Sequence, residues 1–74
     1  MQKDTIKIST EYIKLDQLLK LSGIAESGAD AKSMIYDEIV RVGDEVCTMR
    51  GKKIRSGDVV TIEFDDETFE LTVE

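Results

Sequence analysis

The chain has 74 residues, 41% of them apolar and 35% charged, with no proline or tryptophan; this is the composition of an ordinary globular domain, not of a disordered or collagen-like chain. One cysteine, Cys47, excludes an internal disulfide framework, and the absence of histidine excludes a Cys/His zinc cluster, so the expected fold rests on packing alone, with no metal and no cofactor. No apolar run approaches the roughly 20 residues that cross a bilayer, and MQKDTIKIST lacks a signal-peptide core, which predicts a cytoplasmic protein with no membrane partner.

Along the chain, Ile6 and Ile8 alternate with Thr5, Lys7 and Ser9, which predicts a short strand with one buried face. The period then changes: Leu15, Leu18 and Leu19 recur at i, i+3, i+4, with Leu21 close by, predicting a short amphipathic helix that Ser22-Gly23 ends and onto which Ile24 packs back. Ser27-Gly-Ala-Asp30 is a capping signature that opens a second helix with an apolar stripe of Ala31, Met34 and Ile35, fraying near Asp37-Glu38. The two helices form a compact helix-turn-helix hairpin.

From Ile39 the period returns to two. Ile39–Val42, a Gly43-Asp44 turn of type II′ and Glu45–Met49 read as a hairpin. Gly51 bends the chain, Ser56-Gly57-Asp58 turns it, and Val60, Ile62 and Phe64 alternate outward to a turn at Asp66-Glu67 and back along Phe69, Leu71 and Val73. The predicted fold is therefore α+β, in the order β-α-α-β-β-β-β, with the helical hairpin packed on a small, mostly antiparallel sheet. Residues 1–74 read as one domain ending in an acidic hairpin over 59–74.

The charge is unevenly spread. Residues 1–11 balance; residues 12–55 carry eight cations against seven acids; residues 56–74 carry seven acids and no cation, which gives the formal total of −6. The stretch MRGKKIR, residues 49–55, gathers Arg50, Lys52, Lys53 and Arg55 with no acid among them. Such a cluster is either a solvated loop that offsets the acidic hairpin or a phosphate-binding surface. Arg41, between two inward valines, faces away from the core and either reaches a ligand or pairs with an acid. Tyr12 and Tyr36 read as edge-of-core side chains, since two tyrosines make no stacking platform, and Phe64 and Phe69 read as core. Cys47, placed in a strand with no base to activate it, reads as a small hydrophobe. No catalytic site is expected: there is no nucleophile elbow, Gly-rich phosphate loop or paired catalytic carboxylate.

Three blocks, KLDQLLKLSGIAESGADAKSMI, IVRVGDEV and RGKKIRSGDVV, occur in an order and spacing that resembles the S4-type (alpha-L) RNA-binding domain, and most closely its small free-standing bacterial branch called YaaA or YbcJ. The resemblance spans roughly residues 12–64. It implies an RNA-facing surface built from the helical hairpin and the adjacent strand loop: Lys14 opening the first helix, Ser27 and Lys32 in the second, and Arg50, Lys52, Lys53 and Arg55 in the basic loop. It implies a non-enzymatic module that grips the backbone of structured RNA, with ribosomal RNA or a ribosome precursor placed ahead of transfer RNA and no small-molecule substrate. The alternative is an adaptor that docks a basic protein through an acidic sheet face of Glu63, Glu70 and Glu74. Three positions depart from the family pattern: Gly28 stands where many members have arginine, Glu38 where a glycine ends the second helix, and Gly43-Asp44 where Asn-Gly is usual. The Glu38 departure predicts loss of the left-handed cap.

Overall fold

The computed structural model describes residues 2–74. Its elements are β1 (Gln2–Ile6), β2 (Ile13–Lys14), α1 (Leu15–Leu21), α2 (Gly28–Tyr36), β3 (Val40–Val42), β4 (Glu45–Val46), β5 (Lys53–Ile54), β6 (Val59–Glu63) and β7 (Thr68–Val73). Five strands form one sheet in the order β1-β7-β6-β3-β4, and β2 and β5 form a separate two-stranded ladder. All neighbours in the large sheet are antiparallel except β1 and β7, which run parallel. The expected α+β architecture is thus present, and two short strands that the sequence did not announce are added to it.

Alternation along the strands decides what is buried. Val40, Val60, Ile62, Leu71 and Val73 point to one face, where they join Leu15, Leu18 and Leu19 of α1 and Ala31 and Ile35 of α2 in a single core. Each fully buried leucine or isoleucine contributes about 1.5–3 kcal/mol of transfer free energy. In a domain of this size that is a large share of a net stability of about 4–11 kcal/mol. The other sheet face carries Arg41, Thr61, Glu63, Glu70 and Thr72.

Both helices stop where local chemistry makes them stop. At the end of α1 the Ser22 and Gly23 amides donate to the Leu18 and Lys20 carbonyls, and Gly23 takes φ +84°, a conformation that costs glycine little. The Ala25 amide then reaches the Leu19 carbonyl at 3.1 Å, and Ile24 packs against the core as expected. The Ser27 hydroxyl accepts from the Asp30 amide at 3.2 Å and caps α2. Beyond α2, Glu38 adopts φ +63°, with its amide donating to the Ile35 carbonyl at 3.2 Å. The left-handed cap is therefore kept without glycine, against the cost of about 1–2 kcal/mol that a side chain brings to that conformation.

Three further expectations are corrected. The arm after Gly43-Asp44 pairs only through Glu45–Val46, so Cys47 lies outside any strand; its amide donates to the Val40 carbonyl, and the chain then leaves the sheet to meet the start of α1. Phe64 is not core. It follows β6 in a turn closed by its amide to the Glu67 carbonyl, is 36% exposed, and meets half-buried Phe69 edge-on at 5.7 Å. Tyr36 is 54% exposed on α2 and does not pack at the core edge. The Gly43 turn holds: Gly43 has φ +63° and Asp44 does not share the positive φ, as type II′ requires.

Candidate nucleic-acid interface

The basic loop is held by a device made of two residues on each side. In the β2–β5 ladder Ile13 pairs with Ile54 and Lys14 with Lys53. Ile54 is fully buried and Ile13 packs against the core, so this face of the ladder anchors it. The opposite face therefore carries Lys14 and Lys53 side by side, with Cβ atoms about 4.5–5.5 Å apart. Tyr12, two residues before Lys14, lies on that same face, and the Lys53 ammonium sits 4.9 Å from its ring centroid, a cation–π distance.

The backbone of the loop completes the start of α1. Lys14, at the N-cap, makes no side-chain cap, so the first amides of the helix need other acceptors. The Leu15 amide donates to the Lys52 carbonyl at 2.9 Å and the Asp16 amide to the Arg50 carbonyl at 3.1 Å. The loop is thus fastened through its carbonyls, and its cationic side chains remain directed outward. Its tip closes with the Lys52 amide on the Met49 carbonyl, a turn at the expected Gly51 bend. On the far side, the Arg55 amide donates to the Asp58 carboxylate at 2.8 Å and the Asp58 amide returns to the Arg55 carbonyl. That turn fixes where Arg55 leaves the ladder.

Carboxylates sort the cations into two groups. On the outer sheet face Lys3 pairs with Glu70 at 3.5 Å and Arg41 with Glu63 at 3.0 Å. Among the described residues no other lysine or arginine forms an ion pair, so eight cations are unpaired and exposed: Lys14, Arg50, Lys52, Lys53 and Arg55 in and beside the ladder, Lys32 on α2, and Lys7 and Lys20 elsewhere. Placing two lysines directly opposite each other costs local stability. A cost that no carboxylate relieves is expected at a site which answers to something outside the fold.

The predicted site residues are brought together unequally. Lys14, Arg50, Lys52 and Lys53 are joined through the ladder and the start of α1, and Arg55 follows the ladder directly. Ser27 and Lys32 stand on α2, which packs against α1; no hydrogen bond or ion pair links them to the loop among the described residues. Ser27 spends one oxygen lone pair on its cap, while Lys32 lies 5.7 Å from the centroid of exposed Tyr36. The sequence reading missed Tyr12 as the partner of Lys53. The signal was present in Tyr12-Ile13-Lys14 and Lys53-Ile54-Arg55, each a single inward isoleucine between outward polar residues, but each run is too short to declare a strand.

The sequence model of the S4 domain matches residues 6–72. The chain belongs to the S4 domain family. The match extends beyond residues 12–64 at both ends, taking in Ile6 at the end of β1 and most of the acidic hairpin. A relative from Bacillus subtilis (strain 168), named probable ribosome maturation protein RlbA, is 47% identical over 58 residues, which cover 78% of this chain and 82% of the relative. The solution structure of YbcJ from E. coli, described as revealing an αL motif involved in RNA-binding, superposes with a TM-score of 0.62 at 33% identity, over 92% of this chain and 85% of that one. The alpha-L fold read from three short blocks is the fold of this S4 domain.

Proposed function

We propose that this S4 domain is a non-enzymatic cytoplasmic module that grips the backbone of a structured RNA, with ribosomal RNA or a ribosome precursor as its target ahead of transfer RNA. Lys14, Arg50, Lys52, Lys53 and Arg55 form the center of the grip, and Ser27 and Lys32 of α2 flank it. The observation that carries this reading is the sorting of cations: those of the sheet face are neutralised by carboxylates and those of the loop are left for an external anion. Arg50 and Arg55 suit bidentate phosphate contacts, whereas the lysines act as point charges. The mechanism is positioning together with release of counterions, and the acidic hairpin disfavours RNA at the other end of the domain.

The S4 family and the relative named for ribosome maturation support this reading. The adaptor alternative loses ground, since Glu63 and Glu70 of the supposed acidic face are each engaged by a cation of the same sheet. Fluorescence anisotropy with labelled ribosomal RNA hairpins and with transfer RNA tests the proposal. Ribosomal hairpins are expected to bind at least about tenfold more tightly, a difference of about 1.4 kcal/mol. Equal binding of both classes overturns the ribosomal assignment, and no binding of either at low salt overturns the RNA reading itself.

A further inference from the structure

At the other end of α1 from the basic loop lies a cavity of about 460 Å³, open on one side. Its walls are Ser22, Gly23 and Ile24 after the helix, Phe64 and Phe69 with their crossed rings, and Gln2 to Asp4 of β1. The seven residues of α1 place it about 10 Å along the axis from the loop. The volume is within the range of about 300–1,000 Å³ found for ligand sites. Ile24, Phe64, Phe69 and Leu71 supply an apolar wall against which one large side chain can pack, and the remaining walls are polar.

The charge around this cavity has the opposite sign to that of the RNA face. Asp4 lies in its wall, and Asp65, Asp66 and Glu67 form the exposed turn that follows Phe64. Among the described residues none of the four forms an ion pair, whereas Lys3 and Glu70, which also line the cavity, are paired with each other. The Gln2 amide group donates to the Glu67 carboxylate and ties the start of β1 to this acidic turn. Phosphates are repelled here and a cationic ligand is drawn in. β1 adds a third element. Among the described residues it is the end strand of the sheet, bonded to β7 alone, and apart from the Thr5 amide, which the Asp4 carboxylate holds at 2.8 Å, its outer edge offers backbone donors and acceptors to another extended chain.

We propose that this cavity and the free edge of β1 form a docking site for an extended, basic protein segment. The segment adds alongside β1, inserts one large apolar side chain between Phe64, Phe69 and Ile24, and sets its flanking lysines or arginines against Asp4, Asp65, Asp66 and Glu67. A basic protein that accompanies RNA has this chemistry, and the S4 domain would hold it and the RNA at opposite ends of α1. The proposal does not depend on which RNA is bound, or on RNA binding at all.

The test is titration of the 15N-labelled full chain, without RNA, by a peptide of sequence Arg-Lys-Phe-Lys-Arg and by the same peptide with alanine at its center. The phenylalanine peptide is expected to give saturable shifts at Gln2–Asp4, Ser22–Ile24, Phe64 and Phe69, and slowed amide exchange along β1. The alanine peptide is expected to bind at least about tenfold more weakly, reflecting the lost apolar burial. The double variant Asp65→Lys, Asp66→Lys changes only an exposed turn, and its own spectrum reports that the fold is intact; it is expected to weaken the phenylalanine peptide by at least about tenfold at low salt. Equal binding of the two peptides, shifts clustered elsewhere, no saturation at millimolar peptide, or the same shifts produced by raising the concentration of the chain alone would each overturn the proposal.

Discussion

The outer sheet face and the β2–β5 ladder are both small polar surfaces with cations set next to other side chains, yet they treat charge in opposite ways. Across the sheet, Lys3 faces Glu70 and Arg41 meets Glu63, so each cation has its counter-charge within the fold. Across the ladder Lys14 faces Lys53, and the nearest compensation is the quadrupole of Tyr12. The sheet face is closed electrostatically and the ladder is left open. The chain has sixteen Asp and Glu residues, of which seven lie in residues 56–74, where Glu63 and Glu70 close the sheet face, and none lies in the loop 49–55.

The largest effect is expected from cutting the anchor of the ladder. Ile54→Ala removes a fully buried side chain and should cost about 2–5 kcal/mol, close to the whole stability of the domain, read as a collapse of the thermal transition or its loss. A cost below about 1 kcal/mol would mean that the ladder is not held by the core.

Next comes charge reversal. Lys52→Glu with Lys53→Glu removes about two phosphate contacts and should weaken RNA binding on the order of fiftyfold at 0.1 M salt. Lys3→Glu with Lys7→Glu, the same charge change beside the sheet, should cost less than about threefold. Similar losses in both would erase the distinction between the two surfaces.

A smaller effect sharpens the role of Tyr12. If its ring positions the Lys53 ammonium, Tyr12→Leu should weaken RNA binding by about two- to fivefold, corresponding to a cation–π term of about 0.5–1 kcal/mol. Tyr12→Phe should keep full affinity, and neither change should matter once Lys53 is replaced by methionine. A loss that persists without Lys53 would point instead to direct contact by the ring. The smallest effect belongs to the sheet. A double-mutant cycle of Arg41→Met and Glu63→Gln should give a coupling of about 0.5 kcal/mol, because both side chains are half exposed, and should leave RNA affinity unchanged.

The sequence and the structure agree where the signal is local. The leucine spacing of α1, the Ser27 cap and the Gly43 turn each depend on residues within one or two turns of chain and form as their patterns predict, and the final hairpin forms with Phe64 in its turn instead of in its strand. The ladder was not legible because its strands are two residues long and far apart in sequence, so neither has a period of its own. Parallel pairing of β1 with β7 was hidden for the same reason: alternation says which face is buried but not which strand is the neighbour. Glu38 shows the opposite failure. The rule that favours glycine in the left-handed cap is a statement of cost, and the packing of α2 on the core through Ala31 and Ile35 is sufficient to impose the conformation on glutamate. At the candidate site the cations themselves were legible from MRGKKIR. Their lack of carboxylate partners was not, because Arg41 is also a cation between apolar residues and only the sheet register places Glu63 within its reach.

The central claim is that the loop cations are unpaired because they await phosphates, and the salt dependence of RNA binding tests it most directly. With about four phosphates neutralised, the slope of log affinity against log salt should be near −3.5 for the wild type and should become shallower by about 2 in the Lys52→Glu, Lys53→Glu variant. A slope between 0 and about −1 in the wild type, or one that the variant leaves unchanged, would contradict the account.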